Sequence, residues 1–308
     1  MAHRVNWCVC VAALAVSVSG WSCSRTESAA PPRTVLRLAK TTADQLQRAL
    51  ARLPDVQTEI VAEGGSSITS LIDLQRKKVD VSIPLADVAY LAYGGRLSEM
   101  PEAFDELRGM AVTDLNTVHL LIAAGVSADD VRELKGLRVS LGAPGSSTAL
   151  FTPRLLQAHG ISPADARAER IPNAEMLSRL ASRDIDAAFA TYTAPSEAVA
   201  SAMRAGARMI DIEGPVVEEM RTQYPYLKRT LIVSGTYPNQ PEAVHTIGVD
   251  VVIVCRADLD ENVVYRLLDA YFATRPAMRP PNLERAPATP IPLHPGAARY
   301  YRQRELSR

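Results

Sequence analysis

The chain has 308 residues, 47% hydrophobic and 22% charged, and its 34 basic and 34 acidic side chains leave no formal net charge. Such a balance fits a compact soluble protein of one large or two moderate domains. With the two signs interspersed there is no basic stripe to neutralise phosphates and no acidic tail, so nucleic acid is excluded as a partner.

Met1 to Arg4 is a short basic start and Val5 to Val18 is mostly apolar, the pattern of an export leader, too short to span a bilayer comfortably. Gly20-Trp21-Ser22-Cys23-Ser24 follows, and a cysteine behind a small residue there predicts lipoprotein processing with Cys23 acylated. Residues 1–23 then form the signal and residues 24–33 a polar, Pro-containing tether. Cys8 and Cys10 leave with the leader, so Cys255 alone remains besides Cys23, and its place at the end of an apolar run predicts a buried small hydrophobe. Both tryptophans, Trp7 and Trp21, also belong to the leader, which favours a small polar or anionic solute over a stacked sugar.

After the tether, Val35 to Ala39 alternates as a strand and Ala43 to Leu53 has one apolar helical face. Val56 to Ala62 is a second strand, Ser67 to Lys77 a second helix and Val79 to Ile83 a third strand. That order predicts parallel pairing with crossover helices. Val118 to Ala124 is a further strand; Leu137 to Gly142 with a helix at 147–159 opens a new βα unit, followed by a helix at 175–182 and strands at 185–190 and 207–212. The apolar run Ile247 to Val254 and a helix at 261–273 close the pattern, before a Pro-rich tail. The expected fold is α/β with two lobes, each a mostly parallel sheet flanked by helices: lobe I is 34–117 plus 231–308, lobe II is 118–230.

The richest site signal is Val139 to Thr148, a strand ending in Gly142-Ala143-Pro144-Gly145-Ser146-Ser147-Thr148 and turning into a helix. The first N–H groups of a helix lack internal partners and the helix dipole favours negative charge, so such a turn suits an anion; the same hydroxyls also suit ordinary N-caps. Glu63-Gly64-Gly65-Ser66-Ser67 repeats the design in the first half. Ligands of open parallel sheets bind at the carboxyl ends of strands, which adds Lys40-Thr41-Thr42, Pro84 to Asp87, and Thr191-Tyr192. Gly145, Ser146, Ser147, Thr148, Ser66 and Ser67 with these form the candidate ligand site. No G-x-S-x-G, C-x-x-C, H-E-x-x-H or calcium-loop spacing occurs, and the five histidines are scattered. Neither a catalytic centre, a metal nor a cofactor is expected.

From Val35 to Tyr301 the ordered motifs resemble the TAXI family, the extracytoplasmic receptors of tripartite ATP-independent (TRAP) transporters. The motifs are Glu63 to Ser67 with Leu71, Val79-Asp80-Val81, Asp87-Val88-Ala89-Tyr90, Leu134 to Ser146, Ile185 to Phe189, and Leu293-His294-Pro295-Gly296-Ala297. The resemblance implies a periplasmic binding protein of type II-like fold, with no enzyme activity. It would close on a small organic acid or amino acid such as glutamate and deliver it to transporter membrane subunits, at the outer face of a cell membrane. The loop after the first strand is shorter than in that family, and Leu85-Ala86 replaces its Gln-Ser before Asp87, which implies lost polar contacts. A sensor or adaptor lipoprotein of the same fold is the alternative function, and a serine hydrolase using Ser66 or Ser146 the third.

Overall fold

The computed structural model describes residues 34–275 and 282–306, together with Met1. The leader, the tether and the acylation of Cys23 lie outside the described residues. No helix among the described residues is long and apolar enough to cross a membrane.

Strand β1 (Thr34–Ala39) buries Leu36 and Leu38 and turns Val35 outward, the period-two pattern of a half-buried strand. Helix α1 (Lys40–Leu50) follows with no loop between, and its buried Thr42, Leu46 and Ala49 share one face. The helix thus starts three residues earlier than the apolar pattern indicates. Lys40, Thr41 and Thr42 are its first turn, not a connecting loop. Strand β2 (Val56–Ala62) pairs with β1 in parallel, from Thr34 opposite Val56 to Leu38 opposite Ile60. Helix α2 (Ser67–Gln75), strand β3 (Val81–Ser82) and helix α3 (Ala86–Tyr93) complete the first half.

The second half repeats this plan. Strand β5 (Val139–Ser140) leads into helix α4 (Ser147–Ala158), then helix α5 (Asn173–Ala181), strand β6 (Ala187–Thr193) and helix α6 (Glu197–Arg204). One electrostatic clasp recurs in both halves. The Arg37 backbone N–H and guanidinium both donate to Asp80, at 2.7 and 2.8 Å, and the Asp80 N–H returns a 2.8 Å bond to the Arg37 carbonyl. Arg138 and Asp186 make the same three contacts at 2.8, 2.6 and 2.8 Å. Each clasp ties the opening strand of its half, β1 or β5, to the chain entering a later one, β3 or β6. Bidentate guanidinium–carboxylate pairing supplies both charge and fixed geometry there.

Two long strands join the halves. Strand β4 (Leu107–Ile122) pairs antiparallel with β9 (Val244–Arg256) from Leu107 to Thr117, and with β6 from Asn116 to Ile122. From Leu120 onward, the partner opposite β6 is β7 (Arg208–Ile210). Helix α7 (Pro215–Gln223) and strand β8 (Leu227–Ile232), which pairs with β9, lie between them in sequence. The seven-stranded sheet has the order β3-β9-β4-β6-β5, with β7 on β4 and β8 on β9. It is therefore mixed. The βα pattern correctly announces parallel pairing for β1 with β2 and β5 with β6, but the crossing strands return in the opposite direction and make the remaining pairs antiparallel.

Helix α8 (Glu261–Ala273), capped by Asp260, packs with α1 and with α10 (Pro295–Leu306) around Leu36, Leu46, Leu268 and Tyr300. The short α9 (Asn282–Arg285) precedes α10. The His294-Pro295-Gly296 motif serves this packing: a Cβ on Gly296 would stand 2.3 Å from the Glu261 carbonyl oxygen, and the His294 N–H donates to the Gly109 carbonyl at 2.9 Å. Cys255 is fully buried in the same core, and burial pushes its thiol well above the usual range. A second core spans both halves, from Leu71, Val88 and Phe104 to Leu155 and Phe189. Ile232, Tyr237 and Val244 pack in a third, with Leu121, Ala188 and Val199.

Candidate functional site

A cavity of about 360 Å³ opens where the helix starts of the two halves meet, a size that suits a small molecule. The first half contributes Gln45 of α1, Gly65, Ser66 and Ser67 at the start of α2, and Ile83 and Leu85 after β3. The second contributes Ser146, Ser147 and Thr148 at the start of α4, Asn173 at the start of α5, and Thr191 and Thr193 on β6. The crossing strands add Asp114, Asn116 and Val251. Hydroxyls and amides thus dominate the wall.

The turns before α2 and α4 touch directly. The Ile68 N–H donates to the Gly145 carbonyl at 3.4 Å. Gly145 has φ +72°, and a Cβ there would lie 2.7 Å from Ser66 Oγ. Glycine is required on both counts: the backbone is left-handed and the space is already filled.

The hydroxyls divide by task. Ser66 Oγ accepts from the Thr69 N–H at 3.3 Å, and Ser146 Oγ accepts from the Ala149 N–H at 3.1 Å while donating to the Ala143 carbonyl at 2.6 Å. Both are helix caps. Ser67 Oγ accepts from the Leu85 N–H at 3.2 Å. Thr148 Oγ1 donates to Thr191 Oγ1 at 2.8 Å, which leaves the Thr191 proton for another acceptor. Ser147 Oγ donates to Asp87 Oδ2 at 2.6 Å.

Asp87 is 1% exposed and does not line the cavity; it acts through Ser147 from beneath. Its Oδ1 has no hydrogen-bond partner. Burial pushes its carboxyl up to about 6, against the Ser147 hydrogen bond, its backbone hydrogen bonds and the more distant positive charge of Arg154.

Lys40, Thr41, Thr42 and Tyr192 also stand apart from the wall. Lys40 pairs with Asp44 at 3.0 Å on the exposed side of α1, and that hydrogen bond raises its ammonium above the ordinary value. Thr41 packs on the Gly64 turn, its N–H donating to the Glu63 carbonyl at 3.3 Å, and Thr42 is buried. One turn further along α1, Gln45 reaches the cavity instead. Tyr192 packs with Leu121, Ala188 and Val199 while its neighbours Thr191 and Thr193 face the cavity, as strand alternation requires.

Asp114 and Asn116 are lining residues that the βα-loop rule does not reach, because they sit mid-strand in β4. They have no period-two signal in the sequence: residues 113, 114, 116 and 117 are all polar, and only the pairing with β9 makes the segment a strand. Asn116 Oδ1 accepts from Thr193 Oγ1 at 2.7 Å. Burial raises the Asp114 carboxyl above its ordinary range, opposed by Arg275 at 3.5 Å. Asp114 is the one ionisable side chain among the described residues that line the cavity. Beyond the Gly145-Ser146 turn lies a separate hollow of about 510 Å³ flanked by Arg154, Arg170 and Glu99.

The NMT1-like family model matches residues 36–304. Among solved structures, one described as a periplasmic transporter is 15% identical, covering 90% of this chain and 94% of its own, with a TM-score of 0.51. A Xanthomonas citri protein bound to ATP is 16% identical over 88% of this chain and 94% of its own, with a TM-score of 0.50. The periplasmic aliphatic sulphonate binding protein SsuA of Escherichia coli is 16% identical over 89% and 79%, with a TM-score of 0.49. At these identities the shared property is the fold, an α/β architecture of the periplasmic binding protein type II kind. The chain belongs to the NMT1-like family.

Proposed function

We propose that this protein is an extracytoplasmic solute-binding receptor of the TAXI type, which captures a small carboxylate-bearing solute and presents it to the membrane subunits of a TRAP transporter. The observation that carries the reading is the convergence of helix starts from both halves on one polar cavity. The solute carboxylate would meet the N–H groups of Ser147 and Thr148 in the first turn of α4 and the hydroxyl of Thr191, whose proton is left by its bond from Thr148. Ser66 and Ser146, the serines a hydrolase would use, spend their hydroxyls on helix caps, which favours binding over chemistry. The motifs shared with TAXI receptors support the transport assignment. Export, and anchoring at Cys23, would hold the receptor at the outer face of the membrane.

Closure would turn on the two crossing strands. In β4 the change of partners falls between Thr117 and Leu120, in line with a lobe boundary at residue 118. We set the return crossing within β9, near Gly248, because Ile232, Tyr237 and Val244 pack with the second half.

The test begins with a thermal-shift screen of small organic acids and amino acids at millimolar concentration, followed by calorimetry on the hits. Thr191→Val is expected to weaken binding roughly 10- to 100-fold, the scale of a hydrogen bond to a charged group. Unchanged affinity would remove the carboxylate from the start of α4.

A further inference from the structure

We infer that the solute is a monocarboxylate with an aliphatic body, and that Ile83, Leu85 and Val251 form the apolar patch that selects it over a dicarboxylate. This inference rests on the receptor reading above and deepens it.

These three side chains stand together in a wall that hydroxyls and amides dominate. Leu85 and Val251 are antiparallel bridge partners, so their side chains are neighbours on one face. Ile83 lies two residues before Leu85, and burial alternates along this stretch: Ile83 and Leu85 are half-buried and open to the cavity, whereas Pro84 and Ala86 are buried. Behind the patch, Leu85 packs on the core that holds Leu71 and Val88, and Ile83 on the one that holds Leu36 and Leu268. The patch is thus the open edge of two cores, fixed in place and able to bury aliphatic carbon. Each methylene laid on it strengthens binding about 4-fold.

The donors for a carboxylate lie elsewhere. The first N–H groups of α4 and the Thr191 hydroxyl belong to the second half, while the patch belongs to the first half and to β9. In the first half, Ser66 and Ser67 already accept from the Thr69 and Leu85 N–H groups. No lysine, arginine or histidine lines the cavity among the described residues, and Asp114 has its own counter-ion in Arg275. A solute held by one carboxylate at α4 therefore turns its remaining body toward carbon. A second carboxylate there would give up its hydration with no cation to receive it, a penalty that an alkyl group does not meet.

Calorimetry of the full chain at pH 7.5 tests the inference with pairs of nearly equal shape, in which an isopropyl group stands where the partner has a carboxylate. The pairs are 3-methylbutanoate against malonate, 4-methylpentanoate against succinate, and 5-methylhexanoate against glutarate. The isopropyl member of at least one pair is expected to bind, and its partner to bind at least about 30-fold more weakly. Leu85→Gln should lower affinity for that member about 10-fold and shrink the preference to about 3-fold or less, and Val251→Thr should lower the affinity about 3-fold. Thr191→Val should weaken the bound member without altering the preference. A dicarboxylate that binds as well as its partner, or a preference unchanged by both Leu85→Gln and Val251→Thr, would overturn the role of the patch and leave the receptor reading standing. If none of the six acids binds while the wider acid screen yields a ligand, the inference falls alone; if no acid binds at all, both fall.

Discussion

Replacement of Asp80 by alanine is expected to cost about 3 kcal/mol of stability and to lower Tm by roughly 6–12 °C. Asp80 is 3% exposed, and two guanidinium groups converge on it, from Arg37 and from Arg256. Removing the carboxylate leaves Arg256, which is 12% exposed, without its main counter-charge. The loss stays at the low end of the range for broken buried pairs because Arg256 retains Asp258 at 2.8 Å and the Val79 carbonyl at 3.2 Å.

The equivalent change at Asp186 should cost only about 1–2 kcal/mol, since Arg138 is 43% exposed and water screens that pair. The penalty at Asp80 should also depend on pH. Burial works to raise its carboxyl, but hydrogen bonds from Arg37 and Arg256 outweigh it and hold the group below its ordinary value. A depressed folded-state pKa gives stability that is present above the unfolded value and lost as pH falls through the folded one. The difference between wild type and Asp80→Ala in chemical denaturation should therefore narrow below about pH 4. Equal effects at Asp80 and Asp186 would contradict the burial argument.

The second large effect has the opposite sign. The carboxyl of Asp87 is raised to about 6 by burial. A raised folded-state pKa gives stability that is fully present below the unfolded value, near 4, and lost as pH rises through about 6. The shift of about two units corresponds to about 3 kcal/mol lost by wild type between pH 4 and pH 8 through this one group.

Asp87→Asn keeps an acceptor for Ser147 and removes the ionisation. Its stability relative to wild type should rise by about that amount across the same pH interval, as measured by denaturant unfolding in a pH series. A gap that stays constant with pH would mean that water reaches Asp87 Oδ1. A stability maximum in mildly acidic solution would be the corresponding property of wild type.

Much of the site is legible in the sequence through local chemistry. A strand that ends in glycine and serine and turns into a helix has few options, and both such turns meet at the cavity, with Ser66, Ser67, Ser146, Ser147 and Thr148 in its wall. The same rule misplaces Lys40, Thr41 and Thr42, because Ala39 passes directly into α1 with no loop to present them. Sequence proximity puts Tyr192 beside Thr191, whereas strand alternation sends neighbouring side chains to opposite faces.

The crossing strands are the larger gap. The apolar half of β4 from Val118 is plain, but Leu107 to Thr117 mixes glycine, threonine, aspartate and asparagine, and only its long-range pairing with β9 makes it a strand. Asp114 and Asn116 are hidden with it. The recurrence of Arg37–Asp80 as Arg138–Asp186 escapes the sequence for a related reason. Its partners are 43 residues apart in one half and 48 in the other, so the likeness lies in the pairing geometry and in no fixed period.

The most direct test of solute capture between the two halves is a crystal structure of the protein purified from its own host, with whatever solute it retains. The expected result is a small ligand between the starts of α2 and α4, its carboxylate against the backbone N–H groups of Ser147 and Thr148 and the hydroxyl of Thr191. A ligand seated instead in the hollow beside Arg154 and Arg170, with the hydroxyl-lined cavity empty, would contradict it.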